Sequence, residues 1–251
     1  MNKTKNLTKK NKKSSLAQMP ESQEDLSKLH EKSGKKPIKY EIREDKPTIV
    51  EERCPPYLPL HLDATKRYTY ADYLTWMDNR RRELIDGFFH LMSAPAEIHA
   101  RISNNFVYWV NTFFRKHKAK CRIYYAPFDV RLPKNGEIED DKIYDVVQPD
   151  ICVICDLSKI DEKGCIGAPD LVVEVLSPST SKYDWNKKFN LYEASGVREY
   201  WIVDPAEQIL HVFLLQPDGK FDEGTIYKCH EKASVHIFDG LEIDLKELFE
   251  E

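Results

Sequence analysis

The run Leu171-Val-Val-Glu-Val-Leu176 constrains this chain more than any other stretch. It is apolar and β-branched apart from its one acid, and it is bounded by Pro169-Asp170 and Ser177-Pro178, the pattern of a central strand buried on both faces. Glu174 in such a strand faces inward. An ionised carboxylate in an apolar interior needs a compensating partner, and metal binding is the compensation that the neighbouring residues favour. The bland alternative is a structural ion pair between Glu174 and a buried cation such as Lys188, although such pairs bring little net stability.

Ile151–Ile154 reads as a second buried strand, opened by Asp150 directly after Pro149, a residue tolerated at the start of a strand but not in its middle. Two carboxylates at the ends of neighbouring strands lie about 5 Å apart and can converge on one hard, oxygen-seeking cation. Asp170 also precedes Glu174, but four residues along a strand span roughly 13 Å, while ligands of one Mg²⁺ each lie only about 2 Å from it. Asp170 is therefore expected to open the strand as a turn residue and not to share the metal.

After Thr180 the spacing predicts a helix. With Trp185 at zero and about 100° per residue, Phe189 falls near +40°, Tyr192 near −20°, Lys188 near −60° and Lys187 near 200°. Lys188 thus borders the buried face while Lys187 points to water, and Asp184, four residues before Lys188, shares its shoulder. A lysine directed at two acids can orient an attacking water or stabilise charge developing on a phosphate. A surface lysine paired with Asp184 is the competing account.

These residues carry a specific resemblance. An acid after proline, a Glu in an apolar strand followed by Ser-Pro-Ser-Thr180, then Tyr183-Asp184, Lys188, Tyr192, Gly196-Val197 and Glu199-Tyr-Trp-Ile-Val-Asp-Pro205 resemble the Uma2 family (DUF820), a branch of the PD-(D/E)xK nuclease superfamily. Glu83-Leu-Ile-Asp-Gly87, Met92-Ser93, Pro95 and His99 fit the same pattern, so the resemblance covers roughly residues 55 to 250. It implies a restriction-endonuclease-like α/β fold, a mixed central β-sheet flanked by helices. It also implies that Glu83 lies near the metal site, against the alternative of a solvent-facing strand acid, and that Lys188 on the helix replaces the lysine of a plain E-x-K, whose position here is Leu176.

The expected chemistry is a Mg²⁺- or Mn²⁺-dependent endonuclease hydrolysing phosphodiester bonds in DNA. Asp150 and Glu174 bind the metal, Lys188 positions or activates water, and Glu83, His99 and Asp184 are further candidates. The alternative is a nuclease-fold module without turnover that binds nucleic acid or protein. A homodimer fits the cutting of two strands, which takes two sites, although no residue demonstrates an interface.

Charge divides the chain. Residues 1–40 hold eleven lysines against four acids, a net of +7, which leaves −11 for residues 41–251 of a chain totalling −4. A Lys-rich tail over residues 1–47 cannot bury enough apolar surface to offset its ordering entropy and is expected to be disordered, ahead of one nuclease-like domain over 48–251. The acidic balance of the rest is not that of a protein that coats DNA. The tail lacks the apolar core of a secretory signal, and no apolar run reaches the ~20 residues of a membrane span, so the expectation is a cytoplasmic protein with no membrane partner. Cys152-Val-Ile-Cys155 invites a metal or redox reading, but residues three apart on a strand point to opposite faces and no second pair completes a zinc site, so free buried thiols are expected.

Further elements follow from pattern. A helix capped by Thr69 carries Tyr73, Leu74 and Met77, and Glu83–Met92 forms a hairpin turning on Asp86-Gly87. A long helix over Glu97–His117 presents Ile98, Ile102, Phe106, Trp109, Val110 and Phe113, with His99 one step off that stripe. Cys121–Leu132 reads as one strand, and Pro133–Asp141 as a loop turning on Asn135-Gly136. Strands are expected at Glu199–Val203, Gln208–Leu215, Thr225–Lys228 and Val235–Phe238, and a terminal helix over Asp244–Glu250.

Overall fold

A computed structural model describes residues 62–250 apart from 79 and 178–180, and only the backbone of 181–184. The expected tail over 1–47 lies outside the described residues. The described chain begins with a short helix α1 (Tyr70–Tyr73), the hairpin β1 (Arg82–Ile85) and β2 (Phe88–Leu91), and the long helix α2 (Glu97–His117). Strands β3 (Arg122–Tyr125), β4 (Val130–Arg131), β5 (Val146–Val147), β6 (Ile151–Ile154), β7 (Ile160–Asp161), β8 (Gly164–Ile166) and β9 (Leu171–Val175) come next. Helix α3 (Ser181–Ser195), β10 (Glu199–Asp204), β11 (Ile209–Leu214), β12 (Thr225–Lys228), β13 (Lys232–Ser234), β14 (Glu242–Asp244) and helix α4 (Leu245–Phe249) complete it.

The central sheet has the order β12-β11-β10-β9-β6-β3. It is mixed: β9 and β10 run parallel, joined by the crossover through α3, and the other pairs are antiparallel. Period-two alternation sends its side chains to two cores. Ile151, Val153, Leu171, Val173, Trp201 and Val203 meet Ile102, Phe106 and Val110 of α2 and Leu245 and Leu248 of α4. Cys152, Ile154, Val172, Tyr200 and Ile202 meet Leu191 and Tyr192 of α3, together with Val130, Val147 and Cys165 of a second sheet. The central strands are thus covered on both faces, which explains why they read as continuous apolar runs and not as alternating ones.

The hairpin forms as expected. Asp86 and Gly87 both take positive φ, 52° and 81°, as a two-residue primed turn requires. Helix α2 matches its expected bounds, but its fourth buried contact is Phe114, while Ile98 is exposed at its N-terminal end.

Five expectations are corrected. Cys121–Leu132 is not one strand: Pro127, which has no N–H for a ladder, separates β3 in the central sheet from β4 in the second sheet. Val235–Phe238 is a turn between β13 and β14, closed by Phe238 N–H to Val235 O and Leu241 N–H to Phe238 O. The Thr69-capped helix ends at Tyr73, leaving Leu74 and Met77 exposed, because Tyr68 and Trp76 pack against Phe89, with Tyr73 against Trp76, in place of continuing a helical stripe. A second six-stranded sheet, β2-β1-β5-β4-β8-β7, was not expected; its two- and three-residue strands are too short to carry a periodic pattern. Finally, Cys121 and Cys155 form a disulfide, because the antiparallel pairing of β3 with β6 sets Arg122 opposite Ile154 and brings the flanking cysteines together. Cys152 and Cys165 are free and buried. No helix among the described residues is long and apolar enough to cross a membrane.

Candidate functional site

The register of the central sheet brings the two acids together. In the β6/β9 ladder Cys152 faces Val172 and Ile151 faces Val173, so the next step sets Asp150 opposite Glu174. Asp150 starts one strand and Glu174 nears the end of its antiparallel neighbour, which places both at one rim of the sheet. Directly opposed residues on such strands lie about 5 Å apart on a common face. Asp150 is anchored through one oxygen: Oδ2 accepts the Val175 N–H at 2.8 Å and lies 2.9 Å from Nε2 of His99, in the first turn of α2.

Glu174 is met from the other side by α3. The helix docks through Trp185, Phe189, Leu191 and Tyr192, and that seating turns Lys188 and Tyr192, one turn apart, toward the same carboxylate. Lys188 Nζ donates to Glu174 Oε1 at 3.0 Å, and Tyr192 OH donates to that oxygen at 2.7 Å. Lys188 also donates to Glu83 Oε1 at 3.0 Å, and Glu83 Oε1 accepts the Gln148 N–H at 2.8 Å. Glu83 is buried, so the alternative of a solvent-facing strand acid does not hold. Lys187 is exposed, as the angular argument requires.

The cluster has more acid than base. Burial alone would depress the Lys188 pKa, but Glu174, Glu83 and Asp150 outweigh it and hold the group well above its usual value, so it stays an ammonium. Glu174 is pushed up to about 7, first by burial and then by the charges of Asp150 and Glu83, against the opposing pull of Lys188 and the Tyr192 hydroxyl. His99 would likewise be depressed by burial, but its hydrogen bond to Asp150, the Asp150 charge and that of Glu174 leave it raised. The surplus negative charge of the cluster therefore disfavours ionisation of Glu174.

The second oxygens, Asp150 Oδ1 and Glu174 Oε2, take part in none of these bonds. Among the described residues no group of three or more His, Cys, Asp and Glu side chains is arranged to hold a metal. Mg²⁺ keeps several waters and binds through one or two carboxylates plus substrate phosphates. Two facing carboxylates, each with an oxygen outside the hydrogen bonds described here, fit that demand.

Of the residues singled out in the sequence, Asp150, Glu174, Lys188, Glu83 and His99 converge here. The side chain of Asp184 lies outside the described residues. Asp170 stands apart, accepting the Cys155 N–H at 2.7 Å and Arg198 at 3.0 Å, in its expected turn role. Leu176, at the position of a plain E-x-K lysine, donates its N–H to Val203 O at 2.8 Å and lines the cleft.

Two contributors were not found from sequence. Tyr192 stood on the buried stripe of its helix, but nothing there marked its hydroxyl as a partner of Glu174. Gln148 works as a hub: its N–H holds Glu83, its Oε1 accepts Arg81 Nε at 3.0 Å, and its Nε2 donates to Asp129 Oδ1 at 2.8 Å. Its one sequence signal was its place before Pro149-Asp150. The acids and Lys188 open into a cleft of about 740 Å³, walled also by Arg81, His99, Tyr125 and Trp185.

Comparison with known proteins agrees with this architecture. The family model Uma2, described as "Putative restriction endonuclease", matches residues 70–246. An uncharacterized protein, slr1290, of Synechocystis sp. (strain ATCC 27184 / PCC 6803 / Kazusa) is 28% identical over 153 residues, 59% of this chain and 74% of that protein. A crystal structure from Anabaena variabilis ATCC 29413, described as "a putative nuclease belonging to DUF820", superposes with a TM-score of 0.57 at 23% identity, covering 72% of this chain and 97% of that one. At that identity the likeness is one of fold.

Proposed function

That this chain belongs to the Uma2 family is the premise from which we propose a metal-dependent endonuclease that hydrolyses phosphodiester bonds in DNA. The observation that carries the proposal is the meeting of Asp150, Glu174 and Lys188 at one rim of the central sheet. Asp150 and Glu174 would hold Mg²⁺ or Mn²⁺ through the oxygens left outside their hydrogen bonds. When bound, the cation supplies Lewis acidity toward a phosphoryl oxygen and lowers the pKa of water.

The chain's own groups have separable tasks. Lys188, kept protonated by its acidic neighbours, is no general base; its ammonium orients the attacking water and offsets charge that gathers on the phosphate in the transition state. Glu83 and the Tyr192 hydroxyl fix the ammonium and the Glu174 carboxylate against rotation. His99 holds Asp150 Oδ2, so that Oδ1 would be the oxygen offered to the cation.

Cleavage of supercoiled plasmid and of labelled single strands in Mg²⁺ or Mn²⁺ tests this, with Glu174→Gln and Lys188→Ala beside the native protein. Nicking lost in both variants supports the assignment, and nicking that survives Glu174→Gln overturns it. Plasmid and single strands both left uncut by a native protein that still binds nucleic acid favour the module without turnover.

A further inference from the structure

We propose that the cleft takes an unpaired nucleic-acid strand, with Arg81 holding a phosphate and the ring of Tyr125 stacking on a base. The inference rests on the nuclease reading for its substrate class, but it stands on residues outside the acid cluster.

Arg81 precedes β1 on the cleft wall. Its neighbour Arg82 gives its guanidinium to Asp78 in a buried pair, whereas Arg81 meets a neutral amide oxygen, that of Gln148. Its Nη2 is shielded from solvent and has no acceptor among the described residues. A guanidinium is a rigid fork of N–H donors matched to phosphate oxygens, and a buried donor left unmade is costly. Gln148 also ties Arg81 to the acids, since its backbone N–H holds the Glu83 oxygen that Lys188 touches. A phosphate on Arg81 is therefore kept at a fixed offset from Glu174.

Tyr125 ends the edge strand β3, opposite Ile151, and the next residue, Ala126, donates its N–H to the Asp150 carbonyl at 3.2 Å. In the same strand Tyr124 stacks on Phe128, while Tyr125 lies 63% exposed at the cleft. A flat ring beside a cation and an acid pair is the kit of single-strand binding, where bases stack on aromatic side chains and a cation tracks the backbone.

Size and charge point the same way. The cleft of about 740 Å³ is of the order of a small-ligand pocket, so what reaches the acids is one or a few nucleotides. Residues 41–251 carry −11, which gives no broad basic surface for a duplex.

The test is fluorescence anisotropy with the full chain in Ca²⁺, using a labelled twelve-residue oligo(dT) and the corresponding oligo(dA)·oligo(dT) duplex, with gels to show that neither probe is cut. The expected result is tighter binding of the single strand, weakened about tenfold by Tyr125→Ala, the loss of one base stack, and retained by Tyr125→Phe. Arg81→Gln should weaken it too and flatten the salt dependence by roughly 0.7 in log–log slope, one phosphate contact fewer. Preference for the duplex, or native affinity in Tyr125→Ala, would overturn the proposal. The readout is binding without turnover, so a protein that cuts nothing can still pass and one that cuts can still fail. The N-terminal lysines are present in every variant, so differences report the cleft.

Discussion

Replacing Lys188 with methionine keeps much of the side chain's length and deletes its charge. Glu83 and Glu174 each place Oε1 3.0 Å from Nζ; in the variant both oxygens face a methyl group, supported among the described residues by the Gln148 N–H and the Tyr192 hydroxyl. Removing one member of a buried ion pair leaves uncompensated charge and costs about 3–5 kcal/mol. In a folded unit of this size each kcal/mol moves the melting midpoint by roughly 2–4 °C, so a fall of about 10 °C follows. The loss depends on pH, with a sign set by Glu174. Its carboxyl already sits at about 7 through burial, and Lys188 is the largest influence opposing that rise, so without Lys188 it rises further. A carboxyl whose folded pKa exceeds its unfolded value favours folding while protonated and opposes it once ionised, so the Glu174 share of the penalty is small near pH 5 and grows as pH climbs through 7. Thermal melts of both proteins in EDTA at pH 5 and pH 8 read this directly. A difference below about 1 kcal/mol, the median worth of a solvent-exposed pair, equal at both pH values, would refute the coupling of Lys188 to the two acids.

Two further outcomes follow from the same charges. Mg²⁺ competes with the Glu174 proton, so millimolar Mg²⁺ should raise the melting midpoint at pH 8 and do so less as pH falls below about 7; an equal shift at pH 5.5, or one that survives Glu174→Gln, would remove Glu174 from the metal. His99 has a raised pKa against Asp150, so its contribution is complete below the ordinary histidine value and is lost as pH rises through the folded one. His99→Ala should therefore destabilise by roughly 1–2 kcal/mol at pH 5.5 and by less at pH 9, and the opposite order in thermal melts would contradict the ion pair.

Strands β6 and β9 were legible because both of their faces are covered, and their acids stood out against that uniform background. Helix α3 was legible by angle, which separated buried Lys188 from exposed Lys187. Register was not readable: antiparallel pairing of β6 with β9, which sets Asp150 opposite Glu174, is a long-range choice with no local signature. The second sheet escaped notice because strands such as Val146–Val147 are shorter than any period. The disulfide was missed because spacing directs attention to Cys152 and Cys155, whereas the partner of Cys155 is 34 residues away, across a ladder. Gln148 was missed for a related reason, since a neutral amide signals nothing until Glu83, Arg81 and Asp129 are in place around it.

The ammonium between Glu83 and Glu174 arrives on a helix and not on the strand that carries the acid, where Leu176 stands instead. A lysine two residues along a pleat would be positioned by the strand itself and would persist as long as the sheet did. Here the charge is installed only when Trp185, Phe189 and Tyr192 are seated. Local unfolding of α3 would withdraw the cation that touches both acids while β6 and β9 stayed intact. The working fraction of the site is then an opening equilibrium of one helix, which amide exchange along α3 would report independently of the stability of the core.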